Sequence, residues 1–201
     1  MEQIAEIAGT LIGIAYLYWE YRADNKVWIA GILMPAISLV VYWRTALYAD
    51  FGINVYYLLV AVYGMWMWRR GSAERAKPFP EELSGTPESP EPLPITHTPA
   101  RMWLILALVF LALRLGLGLS LMQTDSNVPW WDAFTTALSV VGMWMLARKW
   151  VEQWMVWMVV DVVSCGLYIY KGIFFYAALY GVYAVVAWFG YRKWRGMMAA
   201  G

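Results

Sequence analysis

The chain has 201 residues, 62% of them hydrophobic and only 14% charged, with a formal net charge of +1. A charged share so far below the ~25% of soluble domains indicates a membrane protein; the net charge says nothing about nucleic acid, and with no basic patch none is expected as a partner. The single cysteine, Cys165, excludes an internal disulfide framework, and in an apolar helix it reads as a small buried hydrophobe.

A membrane-spanning helix needs ~20 mostly apolar residues. Seven segments qualify, at about 3–21, 27–47, 51–69, 102–122, 130–147, 151–170 and 172–192. The start, M-E-Q-I-A-E, is acidic and lacks the basic region of a signal peptide, so the first segment is expected to stay as a membrane helix. It carries Gly9 and Gly13, a spacing suited to close helix contact. The second contains Pro35, expected to kink it. The third sets Asp50, Asn54, Tyr57, Ala61, Gly64 and Trp68 on one face.

Residues 70–100 change character: seven prolines between Pro78 and Pro99, together with glutamates, predict an extended, disordered linker. The only histidine, His97, falls in it and reads as solvated, not as a metal ligand. The fourth segment is leucine-rich and carries Arg114, which should face a carboxylate such as Asp132 or a neighbouring subunit. The fifth lines up Asp132, Thr135, Thr136, Ser139 and Met143.

The sixth segment is the most informative. Trp154, Trp157, Asp161, Ser164 and Tyr168 share one helical stripe in an otherwise apolar run. A carboxylate at bilayer depth is costly and normally faces a bundle interior or a watery cavity. Beside aromatic faces it suits a flat, cationic organic molecule. Asp161 would contact such a ligand or pair with a neighbouring helix; the stripe alone leaves both open.

Shifting the chain by 126 residues aligns Arg22 with Arg148, Trp28 with Trp154, Ser38 with Ser164, Tyr57 with Tyr183, Gly64 with Gly190 and Trp68 with Trp194. Helices 1–3 thus repeat as helices 5–7. A fourth helix between two odd-numbered halves returns the chain so that both point the same way, a parallel repeat of the kind transporters use around a midplane site. Gly31 and Pro35 stand opposite Trp157 and Asp161, so the second half supplies the chemistry. The expected fold is all-α and polytopic: a three-helix repeat (1–70), the linker (71–100), a linking helix (101–123) and a second three-helix repeat (124–201). Twelve Lys and Arg fall on the side assigned to the cytoplasm against Arg44 and Lys171 outside, which puts the N-terminus outside and the C-terminus in the cytoplasm.

Several stretches resemble the PnuC family of bacterial vitamin transporters: L-Y-A-D-F-G-I-N-V-Y-Y at 47–57, W-D-A-F-T-T-A-L-S at 131–139, E-Q-W-M-V-W-M-V-V-D at 152–161, L-Y-I-Y-K-G at 167–172 and A-L-Y-G-V-Y at 178–183. The resemblance implies a seven-helix, 3+1+3 fold similar to a full-length SWEET transporter, a homotrimer in the bacterial inner membrane, and facilitated diffusion of nicotinamide riboside trapped by cytosolic phosphorylation. It maps the family's W-x-x-W onto Trp154 and Trp157, and the acid or amide that follows onto Asp161. The substrate-contacting set expected from the stripes and the resemblance together is Trp154, Trp157, Asp161, Asn54, Tyr57, Thr136, Ser139, Met143, Tyr168 and Tyr180. Met143 and Asn54 stand where nicotinamide riboside members carry glutamine, which raises thiamine as the alternative substrate; a non-transporting scaffold or binding subunit comes third. Partners are then a cationic-ring vitamin, the lipid bilayer and further copies of the chain. No nucleophile–base pair, metal cluster or phosphate loop is present, so neither an enzyme nor a cofactor is expected.

Overall fold

Among the described residues, mostly apolar runs form seven helices, because a chain in lipid must satisfy its backbone polar groups internally. They are α1 (Glu2–Tyr21), α2 (Val27–Arg44), α3 (Tyr48–Arg75), α4 (Ala100–Leu121), α5 (Pro129–Ala147), α6 (Gln153–Tyr170) and α7 (Phe174–Ala200). The computed structural model describes residues 2–44, 48–75 and 93–200, with side chains at 12–44, 51–70 and 93–199. Among the described residues, five helices (α2, α3, α4, α6 and α7) are long and apolar enough to cross a membrane. α5 forms where expected but mixes Asp132, Thr135, Thr136 and Ser139 into its apolar run. Pro35 lies buried inside α2.

The chain divides into two compact units, Met1–Pro94 with Ala147–Lys149, and Ile95–Leu146 with Trp150–Gly201. In the first, α1 packs on α2 and α2 on α3. In the second, α6 packs on α7. There, Leu106 of α4, Val141 and Met145 of α5 and Trp150 form a buried cluster flanked by Phe110 and Val156.

Each unit carries the same interlock. Trp28 meets Trp68 edge-on, with centroids 5.3 Å apart and planes at 86°, and its ring lies on Gly64. Trp154 meets Trp194 edge-on at 5.7 Å and 87°, and its ring lies on Gly190. A side chain at either glycine would intrude: an added Cβ would sit 2.4 Å from the Trp28 ring at Gly64 and 2.7 Å from the Trp154 ring at Gly190.

The turns before α2 and α6 repeat as well. Ala23 and Lys149 hold positive φ, at 53° and 58°. Asp24 N donates to Trp19 O as Trp150 N donates to Met145 O, and Val27 N donates to Asp24 O as Gln153 N donates to Trp150 O. Only one of the two left-handed residues is a buried cation. In the first unit, Lys149 Nζ stands 4.5 Å from the centroid of the Trp68 ring, and Trp68 Nε1 donates to Ala147 O at 3.2 Å. Burial pulls the Lys149 ammonium down to about 8, with Asp24 acting in the opposite direction.

Three expectations change. Gly13 has open space around it among the described residues, and the close helix approaches fall at Gly64 and Gly190 instead; Gly9 lies outside the described side chains. The linker between 71 and 100 is narrower than its composition suggests. α3 continues to Arg75, and from Leu93 the chain is described again, with Ile95 and Thr98 buried and Val151 N donating to Thr96 O at 3.0 Å. Finally, Arg114 does not pair with Asp132. Its guanidinium lies 5.6 Å from the Phe134 ring centroid, while Asp132 accepts from Ser126 Oγ at 2.7 Å and from Lys171 Nζ at 3.4 Å.

Gly190→Ala and Gly64→Ala should each destabilise the protein by about 1–3 kcal/mol through overpacking. Gly166→Ala, where an added Cβ meets nothing within 4 Å, should be neutral or stabilising. Thermal melts in detergent check this, and equal melting temperatures for all three would refute the interlock. Lys149 supplies a pH test. Its folded value lies below its unfolded one, so the unfolded chain holds a proton that the folded chain has lost between about 8 and the ordinary lysine value. Stability should rise across that window in the wild type and much less in Lys149→Met.

Candidate functional site

α6 is held at both flanks. Its Trp154 face is locked onto α7 by Gly190 and Trp194, and its Trp157 face meets α5 at Gly142, where an added Cβ would lie 3.3 Å from the indole. The glycine thus lets the Trp157 ring lie near the α5 backbone. Met143, beside Gly142, is buried.

Between these anchors lies the stripe of polar groups. Asp161 is 7% exposed and, among the described residues, makes no hydrogen bond or ion pair. It lies close enough to Tyr180 and Tyr183 on α7 to interact with both electrostatically. Tyr168 stacks between Tyr176 and Tyr180, with centroids 5.3 and 5.2 Å away, and Tyr180 meets Tyr183 edge-on at 5.8 Å. An aromatic ladder therefore runs along the α6–α7 seam from the exposed ring of Tyr176 to the carboxylate. Ser164, one turn beyond Asp161, is buried.

The α6–α7 seam thus gathers Asp161, Tyr168 and Tyr180 of the expected set, while Trp157 turns to α5. Tyr180, the least distinctive in sequence, sits beside the acid. Trp154 is 2% exposed, and its ring is occupied by the interlock, as is that of Trp28 in the first unit. There it packs α6 on α7. Ser139 Oγ donates to Thr135 O on its own helix at 2.8 Å, and Thr136 is half-buried on the same face of α5. Asn54 and Tyr57 belong to α3 of the first unit, where both are half-buried and the Tyr57 ring lies 5.8 Å from that of Tyr56.

Three features escape a reading of stripes alone. Gln153 is fully buried, and among the described residues neither its amide oxygen nor its nitrogen has a partner. Tyr183 enters the sequence only as half of a repeat pair, with no site role attached. The third is a clasp at the start of α6. Glu152 Oε2 accepts from Thr98 N and Thr98 Oγ1, both at 2.8 Å, while Oε1 meets His97 Nδ1. His97 is exposed, as its surroundings in sequence imply, but it is tied down. Burial alone would push the Glu152 carboxyl up; the His97 and Thr98 hydrogen bonds outweigh this and leave it below the ordinary value. Among the described residues no group of His, Cys, Asp and Glu is arranged to hold a metal ion.

Among the described residues, five helices able to cross a bilayer, one of them carrying a buried carboxylate, define a multi-pass membrane protein. The chain belongs to the nicotinamide mononucleotide transporter family, the PnuC family, whose model matches residues 3–196. It is 25% identical over 206 residues to the nicotinamide riboside transporter PnuC of Escherichia coli (strain K12), an alignment covering 96% of this chain and 84% of that one. It is 23% identical over 190 residues to the riboflavin/roseoflavin transporter RibM of Streptomyces davaonensis, covering 94% and 84%. A crystal structure of the vitamin B3 transporter PnuC superposes with a TM-score of 0.66 at 20% identity, over 96% of this chain and 80% of that one. At that identity the likeness speaks for the fold.

The clasp predicts a pH response. Glu152 has a depressed folded-state value, so its contribution is present above the ordinary carboxylate range and is lost as pH falls through the lower folded value. The melting temperature of the wild type should drop over that acidic interval, and Glu152→Gln should flatten the drop. Parallel curves for the two proteins would show that the clasp contributes nothing.

Proposed function

We propose that the protein carries nicotinamide riboside into a bacterium by facilitated diffusion across the cytoplasmic membrane. The observation that carries this reading is the buried, unpartnered Asp161, flanked on its stripe by the indole of Trp157 and faced by Tyr180. A lone carboxylate in an apolar bundle is costly unless a counter-charge reaches it. The pyridinium of nicotinamide riboside is such a charge on a flat ring that stacks on an indole. The family and its nicotinamide riboside and riboflavin/roseoflavin transporting relatives favour a ring-bearing vitamin. Asp161 favours a cationic one.

A uniporter fits the rest of the chain. It has no phosphate-binding loop and no row of intramembrane acids for proton coupling. Net uptake would then depend on phosphorylation of the vitamin in the cytosol. Seven spans in 3+1+3 order along the chain, an outside N-terminus and a trimeric assembly complete the proposal. The exposed aliphatic side of α4, including Leu104, Leu108, Leu111 and Leu115, suits lipid or a neighbouring copy. Thiamine is the second reading: its thiazolium offers the same cationic ring, and Met143 is a buried apolar residue on the α5 side of Trp157.

Calorimetry on purified protein tests both. Trp157→Ala should weaken nicotinamide riboside binding by about 10- to 100-fold, the range for losing one aromatic stacking surface. Asp161→Asn should weaken binding of the cation while leaving the melting temperature unchanged or higher. Folded variants that bind as tightly as the wild type would sink the site. A wild type that binds thiamine and not nicotinamide riboside would move the assignment to the second reading. Wild-type liposomes that fail to equilibrate a bound vitamin would make the protein a binding subunit.

A further inference from the structure

Where the two repeats differ, they differ along one line. The Trp28 and Trp154 interlocks, their glycines and the preceding turns correspond position by position. Against that shared frame Val27 stands opposite Gln153, Gly31 opposite Trp157 and Pro35 opposite Asp161. The three second-unit residues are spaced four apart, so they stack on one face of α6 and span about 12 Å at 1.5 Å per residue. Each replaces an apolar or small residue with a polar or aromatic one.

Gln153 is the least explained of the three. Val27 and Gln153 are both fully buried, so the position has an apolar solution that the first unit uses. The second unit buries a primary amide there and, among the described residues, leaves both its oxygen and its nitrogen without a partner. An orphaned buried amide costs the folded protein free energy that valine would not. The unpartnered indole N–H groups of Trp28 and Trp154 do not carry the same weight, since they recur in both units and belong to the interlock. Gln153 and the equally unpartnered Nε1 of Trp157 have no polar counterpart in the first unit.

We infer that Gln153 is a specificity-determining residue that reads the carboxamide of the transported ring. This rests on the function proposed above. A side-chain amide presents one acceptor and two donors, the complement of a ligand carboxamide, and the two can pair through two hydrogen bonds. With the ring beside Trp157, the carboxamide lies toward Gln153 and the sugar toward Asp161, whose carboxylate accepts from hydroxyl groups and attracts the ring's positive charge. Sites built to hydrogen-bond a ligand group reject analogues that lack it, because the protein's own groups are then left unpaired.

The test compares two ligands: nicotinamide riboside, and the same riboside with a carboxylate in place of the carboxamide. Affinities are measured by calorimetry for wild type, Gln153→Met, Gln153→Asn and Trp157→Ala. Wild type should prefer the carboxamide. Gln153→Met should lose about tenfold in affinity for nicotinamide riboside, of the order of one hydrogen-bonded pair. It should change little toward the carboxylate, so that the preference collapses, while its melting temperature stays level or rises. Gln153→Asn keeps the amide on a shorter stem and should keep only part of the preference. An affinity ratio unchanged in either folded variant overturns the inference, and with Trp157→Ala still losing affinity it leaves the functional reading standing. A wild type that binds neither riboside, or a Trp157→Ala that binds both normally, removes the functional reading and the inference together.

Discussion

Close approach of an indole face to a glycine backbone is the contact on which both units depend. Between helices in a bilayer there is no hydrophobic force of the kind that drives folding in water, since lipid tails are as apolar as leucine. Attraction must come from dispersion between surfaces that fit, and it falls off steeply with even small gaps. Trp28 on Gly64 and Trp154 on Gly190 supply broad, flat contact at the shortest possible separation. The edge-on partners Trp68 and Trp194 add the favourable geometry of ring edge to ring face. α2–α3 and α6–α7 are accordingly closely packed helix pairs of the described structure.

A rigid pair lets other positions vary. With α6 anchored through Trp154, the neighbouring face can carry groups that the interlock itself does not require. Gln153, Trp157 and Asp161 occupy that face, where the first unit keeps Val27, Gly31 and Pro35. Duplication therefore supplies its own control. Features common to both copies hold helices together, and features of one copy only are candidates for function. By this criterion Trp154 counts with the scaffold and Gln153 with the candidates.

Much of this was legible in the residues. Helix positions followed from apolar runs, because lipid leaves the backbone no alternative to internal hydrogen bonding. The 126-residue repeat was legible too, and the structure adds that even the left-handed turn recurs, at Ala23 and Lys149. What the residues could not show was how a shared face is divided. Trp154 and Trp157 lie on one stripe three residues apart, yet one meets α7 at Gly190 and the other α5 at Gly142. Which way each ring turns is decided by where the glycines of the partner helices fall, and that is tertiary information. Gln153 hid for a similar reason. It stands at the first position of α6, beside the charged turn, where a glutamine ordinarily faces water. His97 is exposed, as its proline-rich surroundings imply, but only the fold brings Glu152 within reach of it.

The groups on the α6 face also bear on how such a protein holds its shape. A buried amide without a partner, an indole N–H without a partner and a carboxylate without a counter-charge each weaken the folded state. The interlock at Trp154 and the clasp at Glu152 act on the same helix and offset such costs. A ligand that satisfies those groups stabilises the state in which they converge, by an amount set by its concentration relative to its dissociation constant. For a transporter this arrangement is self-limiting. A site that held the vitamin too well would not release it, so a few imperfectly met polar groups serve transport better than a fully satisfied pocket.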